Sequence, residues 1–335
     1  MKNKKQRLRH IDDSALEIER RKSGRGYAYF DGKGEKIISP VLLSRLKKIV
    51  VPPMWSEVKI CKFDDGHIQA TGRDAKGRKQ YIYHSEWERI QQEKKFSRMI
   101  EFGKTLPAIR KQSEKDLAKS GWDKQKITAL MVSILDEYGV RIGNRYYQKE
   151  NETYGLTTLR RRHLQKEGDE LILKYKGKSG IMRSVTIEDN ELAKHIQKAA
   201  DLPGYEIFRY KDEHGKMQSV DSHEVNEYIC KTIGEDFSSK DFRTWAGSRL
   251  ALELYPEAIE LKKQSKRKKF GNILIRLIAD ELGNTPSVCR TYYIHPQILD
   301  KVNEQAIPLK NPYRNSSKSY GLTSEEKLLL ALLET

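Results

Sequence analysis

The sequence predicts an α+β protein: a small β-rich N-terminal domain followed by a larger, mostly α C-terminal domain. Three observations predict it. Short extended runs broken by turn signals fill the chain as far as Tyr83. Apolar residues at helical spacing dominate the remainder. The length, 335 residues, fits two domains better than one.

Taken in order, Tyr27, Ala28, Tyr29 and Phe30 run into the turn signal Asp31-Gly32. Residues 58–61 are an extended run ended by Asp64, Asp65 and Gly66. Residues 67–71 lead to a second turn at 74–77, and KQYIY at 79–83 follows with period-2 alternation. One helix is expected in this half, at 40–49, ahead of Pro52 and Pro53. The second domain is expected to begin in the charged stretch 91–95, which gives domains of 1–91 and 92–335.

In the second domain Ile127, Leu130, Met131, Ile134, Leu135 and Tyr138 fall on one helical face, with Asp123 as the N-cap. Residues 171–175 and 181–187 read as two strands joined by the turn Gly177-Lys178-Ser179-Gly180. A basic run at 262–269 precedes a helix built on Ile273, Leu274, Leu277, Ile278 and Leu282, which Gly283 ends. Thr285 and Pro286 read as an N-cap and a first-turn proline. A polar stretch at 311–320 leads to a final helix with Thr323 and Glu326 as its capping box.

Composition narrows the partners. A net charge of +17 points to a polyanion, nucleic acid or an anionic membrane surface, although charge alone fits a merely basic, soluble protein better. Phosphates bound by Lys and Arg release counterions. No stretch is long and apolar enough to span a bilayer, and the basic first ten residues lack the apolar run of a signal peptide. The three cysteines, Cys61, Cys230 and Cys289, are far apart and form no metal-binding spacing. Reduced thiols and an intracellular setting are expected, and a structural zinc is not.

Four clusters carry chemistry in combination. Arg141-Ile142-Gly143-Asn144 follows the amphipathic helix. Alone, its arginine is a helix-terminal cation. Lys178 tips the hairpin and, alone, is a solvated turn lysine. Lys240-Asp241-Phe242-Arg243-Thr244-Trp245 reads as surface charge beside a core aromatic. The run NTPSVCRTYYIHP, 284–296, ends a short helix at Tyr292 and Tyr293. Together they supply two arginines, a lysine, an amide and a phenol. Attack on a phosphodiester builds charge on the non-bridging oxygens, which guanidinium groups match. A phenol of pKa near ~10 needs help to become a nucleophile, and the departing sugar oxygen needs a proton. No Asp/Glu cluster suited to two catalytic metals is apparent in the sequence.

On RIGN with ENETYGLTTLR after it, KYKGKSG, KDFRTWAG and LGNTPSVCRTYYIHP, with PPMW and GRKQYIYH in the N-terminal half, the sequence resembles type IB DNA topoisomerases of the short, poxvirus-like and bacterial kind. The resemblance runs from Tyr27 to about His295. It implies the α+β fold of the tyrosine recombinase and type IB topoisomerase kind, with a β-rich DNA-clamp domain and a mostly α catalytic domain. It implies Tyr293 as nucleophile, Arg141 and Arg243 as catalytic arginines, Lys178 as general acid, and Lys240 as an accessory cation touching DNA. Asn284 stands where poxvirus-like members carry a histidine, so hydrogen bonding to the scissile phosphate is the expected contribution there. Gln80, Tyr81, Tyr83 and Tyr147 match DNA-contacting positions. The implied partner is duplex DNA gripped by a monomer, with no cofactor, metal or membrane. In a bacterial host the setting is the cytoplasm or nucleoid. The alternative is a tyrosine recombinase or integrase, which usually shows H-x-x-R where this chain has KDFR.

Overall fold

The structure, a computed structural model, describes residues 8–234, 236–265, 267–313 and 321–335. The chain divides into two compact units, Met1–Phe96 and Ser97–Thr335.

The N-terminal unit is a five-stranded antiparallel sheet with one covering helix. In chain order it holds β1 (Ile18–Ser23), β2 (Gly26–Phe30), α1 (Pro40–Lys48), β3 (Ser56–Ile60), β4 (Ile68–Arg73), β5 (Lys79–Tyr83) and α2 (Ser85–Ser97). The sheet order is β2-β1-β3-β4-β5. Ile18, Tyr29, Leu46, Val58, Ile60 and Ala70 form the core, with Trp55 and Ile82 packed against it. Gly72 lets the sheet meet Trp55: a Cβ there would lie 2.8 Å from the indole ring. The buried guanidinium of Arg20 donates to the carbonyls of Val51, Pro52 and Trp55, each at 2.9 Å, which fixes the PPMW segment. The strand β1 itself has no counterpart in the sequence reading, because its charged run Glu19–Lys22 hides the alternation.

The charged stretch 91–95 lies inside α2, and the division between units falls after Phe96. Glu86, Arg89 and Glu93 form i, i+3 and i, i+4 ion pairs along that helix, so density of charge marks a solvated helical face here.

The second unit is mostly helical. It runs α3 (Met99–Leu117), α4 (Lys124–Tyr138), α5 (Arg145–Asn151), then the antiparallel strands β6 (Leu164–Glu167), β7 (Glu170–Lys176) and β8 (Met182–Ile187). Next come α6 (Asn190–Ala200), the small pair β9 (Arg209–Lys211) and β10 (Met217–Ser219), α7 (Ser222–Ile233) and α8 (Ser239–Glu253). It ends with α9 (Tyr255–Gln264), α10 (Phe270–Leu282), α11 (Pro286–Tyr292), α12 (Pro296–Asn303) and α13 (Ser324–Leu333). The expected caps form: Asp123 accepts from Lys126 N, Thr285 from Val288 N, and Thr323 and Glu326 cap each other's backbone. Of the expected polar stretch, 314–320 lies outside the described residues.

The helix α4 departs from the expected one-faced pattern. Besides the expected apolar stripe, Thr128, Ala129 and Val132 are buried as well. It packs against α3, α6, α7 and α8, and a helix enclosed this way is a core element. Among the described residues no helix is long and apolar enough to cross a membrane.

Candidate active site

The site is assembled from the ends of helices. Helix α4 stops at Gly139, in the left-handed region at φ 54°, and the chain turns to deliver Arg141. Two motifs then lock together. Leu156 N donates to Arg141 O at 2.9 Å and Thr157 N to Ile142 O at 2.8 Å. Gly143 (φ 88°) and Gly155 meet backbone to backbone, and a Cβ on Gly155 would lie 2.6 Å from Gly143 N. RIGN and YGLTT are thus two halves of one contact, each glycine needed for close approach.

Arg141 Nη1 donates to Gly283 O at 3.0 Å, and Nη2 donates to Asn284 Oδ1. Arg243, 5% exposed on α8, donates from Nη1 to Gly139 O and from Nη2 to Leu282 O at 3.0 Å. Its Cζ lies 4.9 Å from the centre of the Tyr293 ring. Tyr293 follows the last turn of α11, its N–H bonded to Cys289 O at 3.0 Å. The charges of Arg243 and Arg141 both act on its phenol. The neighbouring Tyr292 is 42% exposed.

Burial alone would push the Tyr293 phenol up. The charge and hydrogen bond of Arg243, then the charges of Arg141 and Lys178, outweigh burial and hold it below its ordinary value. Burial first, and the neighbouring Arg141 charge next, lower the Arg243 guanidinium to about 10, so it remains cationic at neutral pH. Burial also lowers Arg141. Beside the tyrosine, the buried donors Arg243 Nε and Asn284 Nδ2 have no hydrogen-bond partner among the described residues. An unpaired buried donor costs about 1–3 kcal/mol, which marks this spot for an anion.

Lys178 sits exposed in the turn between β7 and β8, where Ser179 has φ 64° and Gly180 φ 78°. Its charge reaches Tyr293. The structure therefore gathers Arg141, Lys178, Arg243 and Asn284 around Tyr293. Lys240 is exposed on the first turn of α8, one turn before Arg243. Tyr147, 53% exposed on α5, lies edge-on to Tyr146. In the other unit Tyr81 and Tyr83 stack at 5.9 Å on the outward face of the edge strand β5. Tyr81 Oη donates to Asp13 at 2.9 Å, and Gln80 Nε2 donates to Asp74 at 3.1 Å.

Residues 84–319 match the family described as "Eukaryotic DNA topoisomerase I, catalytic core", and residues 26–74 match "Bacterial DNA topoisomerase IB, N-terminal domain". The chain belongs to the type IB DNA topoisomerase family. The DNA topoisomerase 1B of Acanthamoeba polyphaga mimivirus is 28% identical over 290 residues, 84% of this chain and 86% of that protein. The DNA topoisomerase 1B of Vaccinia virus (strain Copenhagen) is 27% identical over 239 residues, 70% and 72% of the two chains. The DNA topoisomerase 1 of Mycosarcoma maydis is 23% identical over 273 residues, 74% of this chain and 26% of that protein. These matches favour a topoisomerase over a recombinase.

Two residues seat the tyrosine in this type IB topoisomerase, and the sequence reading gave neither a role, although Gly247 ends the motif KDFRTWAG. Gly247 on α8 lies against Tyr293: a Cβ there would fall 2.8 Å from both Tyr293 C and Cβ. Ser248 Oγ accepts from His295 N at 2.9 Å. A glycine in mid-helix was the available signal, since it costs about 1 kcal/mol and asks for a packing reason.

Proposed function

We propose that Tyr293 is the nucleophile with which this type IB topoisomerase cuts and reseals one strand of duplex DNA. The phenolate oxygen attacks a backbone phosphorus, the bond to the 5′ oxygen breaks, and a 3′-phosphotyrosyl bond replaces it. One proton leaves the phenol and Lys178 gives one to the departing 5′ oxygen. The free end rotates, supercoils relax, and the 5′ hydroxyl reverses the step. One phosphoester replaces another at each stage, so no ATP is consumed. Arg141, Arg243 and Asn284 Nδ2 bind the non-bridging oxygens as their charge grows, at roughly 3–4 kcal/mol per donor.

The observation that carries this reading is the phenol of Tyr293, set beside the buried Arg243 and under the charge of the half-buried Arg141, held below its ordinary pKa in a site with two unpaired donors. Guanidinium and ammonium groups supply the charge that metal ions supply elsewhere. We extend the proposal to one monomer engaging one duplex through both units, with Gln80, Tyr81, Tyr83, Tyr147 and Lys240 as DNA contacts. The three cysteines, far apart in the sequence and odd in number, support an intracellular setting.

The test is a denaturing gel of end-labelled duplex mixed with the protein in EDTA without nucleotide. The unsubstituted chain forms a covalent adduct, and Tyr293→Phe forms none while binding DNA as before. Adduct formation by Tyr293→Phe, or its loss on Tyr292→Phe instead, would remove Tyr293 from the role.

A further inference from the structure

A third arginine lies in the same site, and neither the motifs nor the mechanism uses it. Along β8 the inward row reads Arg183, Val185, Ile187, all buried. An aliphatic residue would fit that row, yet an arginine occupies it, 6% exposed. Its Nη1 donates to Asp280 O at 3.0 Å and to Glu281 O. Those are late carbonyls of α10, where intrahelical partners run out; Asp280 O also accepts from the capping Gly283 N at 3.2 Å.

The next two carbonyls are taken by the other two arginines. Leu282 O accepts from Arg243 and Gly283 O from Arg141. Four consecutive carbonyls, 280 to 283, thus hold three guanidinium groups. Among the described residues no carboxylate forms an ion pair with Arg141, Arg183 or Arg243. Their counter-charge is the negative end of the α10 dipole, worth about half an elementary charge, with Gly139 O at the end of α4 assisting Arg243. A carboxylate would cancel a full charge and compete with phosphate for the same donors. A helix end fixes the groups in place and leaves most of their positive potential for the DNA.

We infer that Arg183 is a positioning residue for strand cleavage: it pins the end of α10 so that Gly283 O and Asn284 Oδ1 hold Arg141 toward the phosphate. The inference rests on Arg141 acting in catalysis as proposed above. The arginine stem crosses Gly283 closely: a Cβ on Gly283 would lie 2.9 Å from Arg183 Nε. Loss of the two bonds from Arg183 frees the terminal turn, and a shift on the order of 1 Å in Arg141 is enough to slow reaction about 100-fold.

Single-turnover cleavage and religation are measured on a short duplex for Arg183→Met, which keeps the length and suits the aliphatic row. DNA affinity by fluorescence anisotropy and thermal melting accompany them. Both rates fall about 10- to 100-fold by the same factor, because one transition state serves both directions, while DNA affinity stays the same. In an Arg141→Ala background Arg183→Met adds a change within about twofold, whereas in a Lys178→Ala background it keeps its full effect. Arg183→Lys, which reaches one carbonyl, gives a smaller loss with the same dependence on background, and it decides the matter if Arg183→Met does not fold. Cleavage at the unsubstituted rate, or losses that multiply with those of Arg141→Ala, overturn the inference. Arg141→Ala cleaving at full rate overturns the catalytic reading and this inference with it.

Discussion

Two adjacent tyrosines end α11, and their surroundings separate them. Tyr292 is 42% exposed, while the phenol of Tyr293 lies under the charges of Arg243 and Arg141. The cations favour the phenolate, so its pKa is depressed and the reactive form is populated at lower pH than in an ordinary tyrosine. The rate of single-turnover cleavage should climb with pH and level off before the ordinary value of ~10. Arg243→Gln removes the strongest of these cationic influences, so the remaining activity should show its inflection at higher pH. An unmoved inflection would mean that the profile reports another group. Gly247→Ala makes a steric test of the same residue. The new Cβ would fall 2.8 Å from Tyr293 C and Cβ, and backbone cannot swing away as a long side chain can. Cleavage should drop about 100-fold with DNA affinity retained; a rate within a few fold of the unsubstituted chain would show that the helix gives way. The side chains that gather here were legible because phosphate chemistry restricts residue type. What holds them was not, since Gly247, Ser248 and Arg183 act through contacts between segments distant in the sequence.

At the scale of elements, α8 connects the site to the end of the chain. One side of it carries Arg243, Gly247 and Ser248. From the same helix Trp245 Nε1 donates to Glu326 on α13 at 3.0 Å. Glu326 is fully buried and also accepts from Arg110, which pairs with Asp136 at 2.6 Å. Burial pushes the Glu326 carboxyl up, but the Arg110 hydrogen bonds and charge pull it down to about 2. The sequence showed Glu326 as half of a capping box, which its bond from Thr323 N at 2.9 Å fulfils. The second use, as acceptor for a half-buried arginine and an indole, was invisible because its partners lie far back in the chain. Removing one partner of a buried pair leaves the others uncompensated, so Glu326→Ala should cost about 3–5 kcal/mol in denaturant unfolding. A cost under about 1 kcal/mol would show water entering to replace it. The missed β1 shows how charge on a solvated face masks the element beneath it. Caps and turns were easier to read, because Asp123, Gly283 and Thr285 act on their immediate neighbours.

At the scale of the whole molecule, charge is divided unequally between two units that each have a core. Residues 1–96 hold 23 Lys and Arg against 13 Asp and Glu, more than half of the net +17 in well under a third of the chain. If the N-terminal unit binds DNA through this charge, it adds phosphate contacts, and each contact steepens the salt dependence of binding by about 0.9 in log–log slope. The outward face of β5 allows a second mode. Lys79 is paired with Asp13 at 2.5 Å, and Tyr81 and Tyr83 present aromatic faces and hydroxyls. Contacts of that kind strengthen binding with little change in slope. The comparison is anisotropy over a range of salt for the full chain and for residues 97–335, with adduct formation on concentrated DNA as the check that the shorter chain is folded. The full chain should bind more tightly, and its slope should be steeper by two or more contacts, about 1.8 units. Weaker binding at an equal slope would assign the N-terminal unit to uncharged contacts through β5. Equal affinity would show that residues 97–335 bind the duplex alone, and the proposal that one monomer engages DNA through both units would fail.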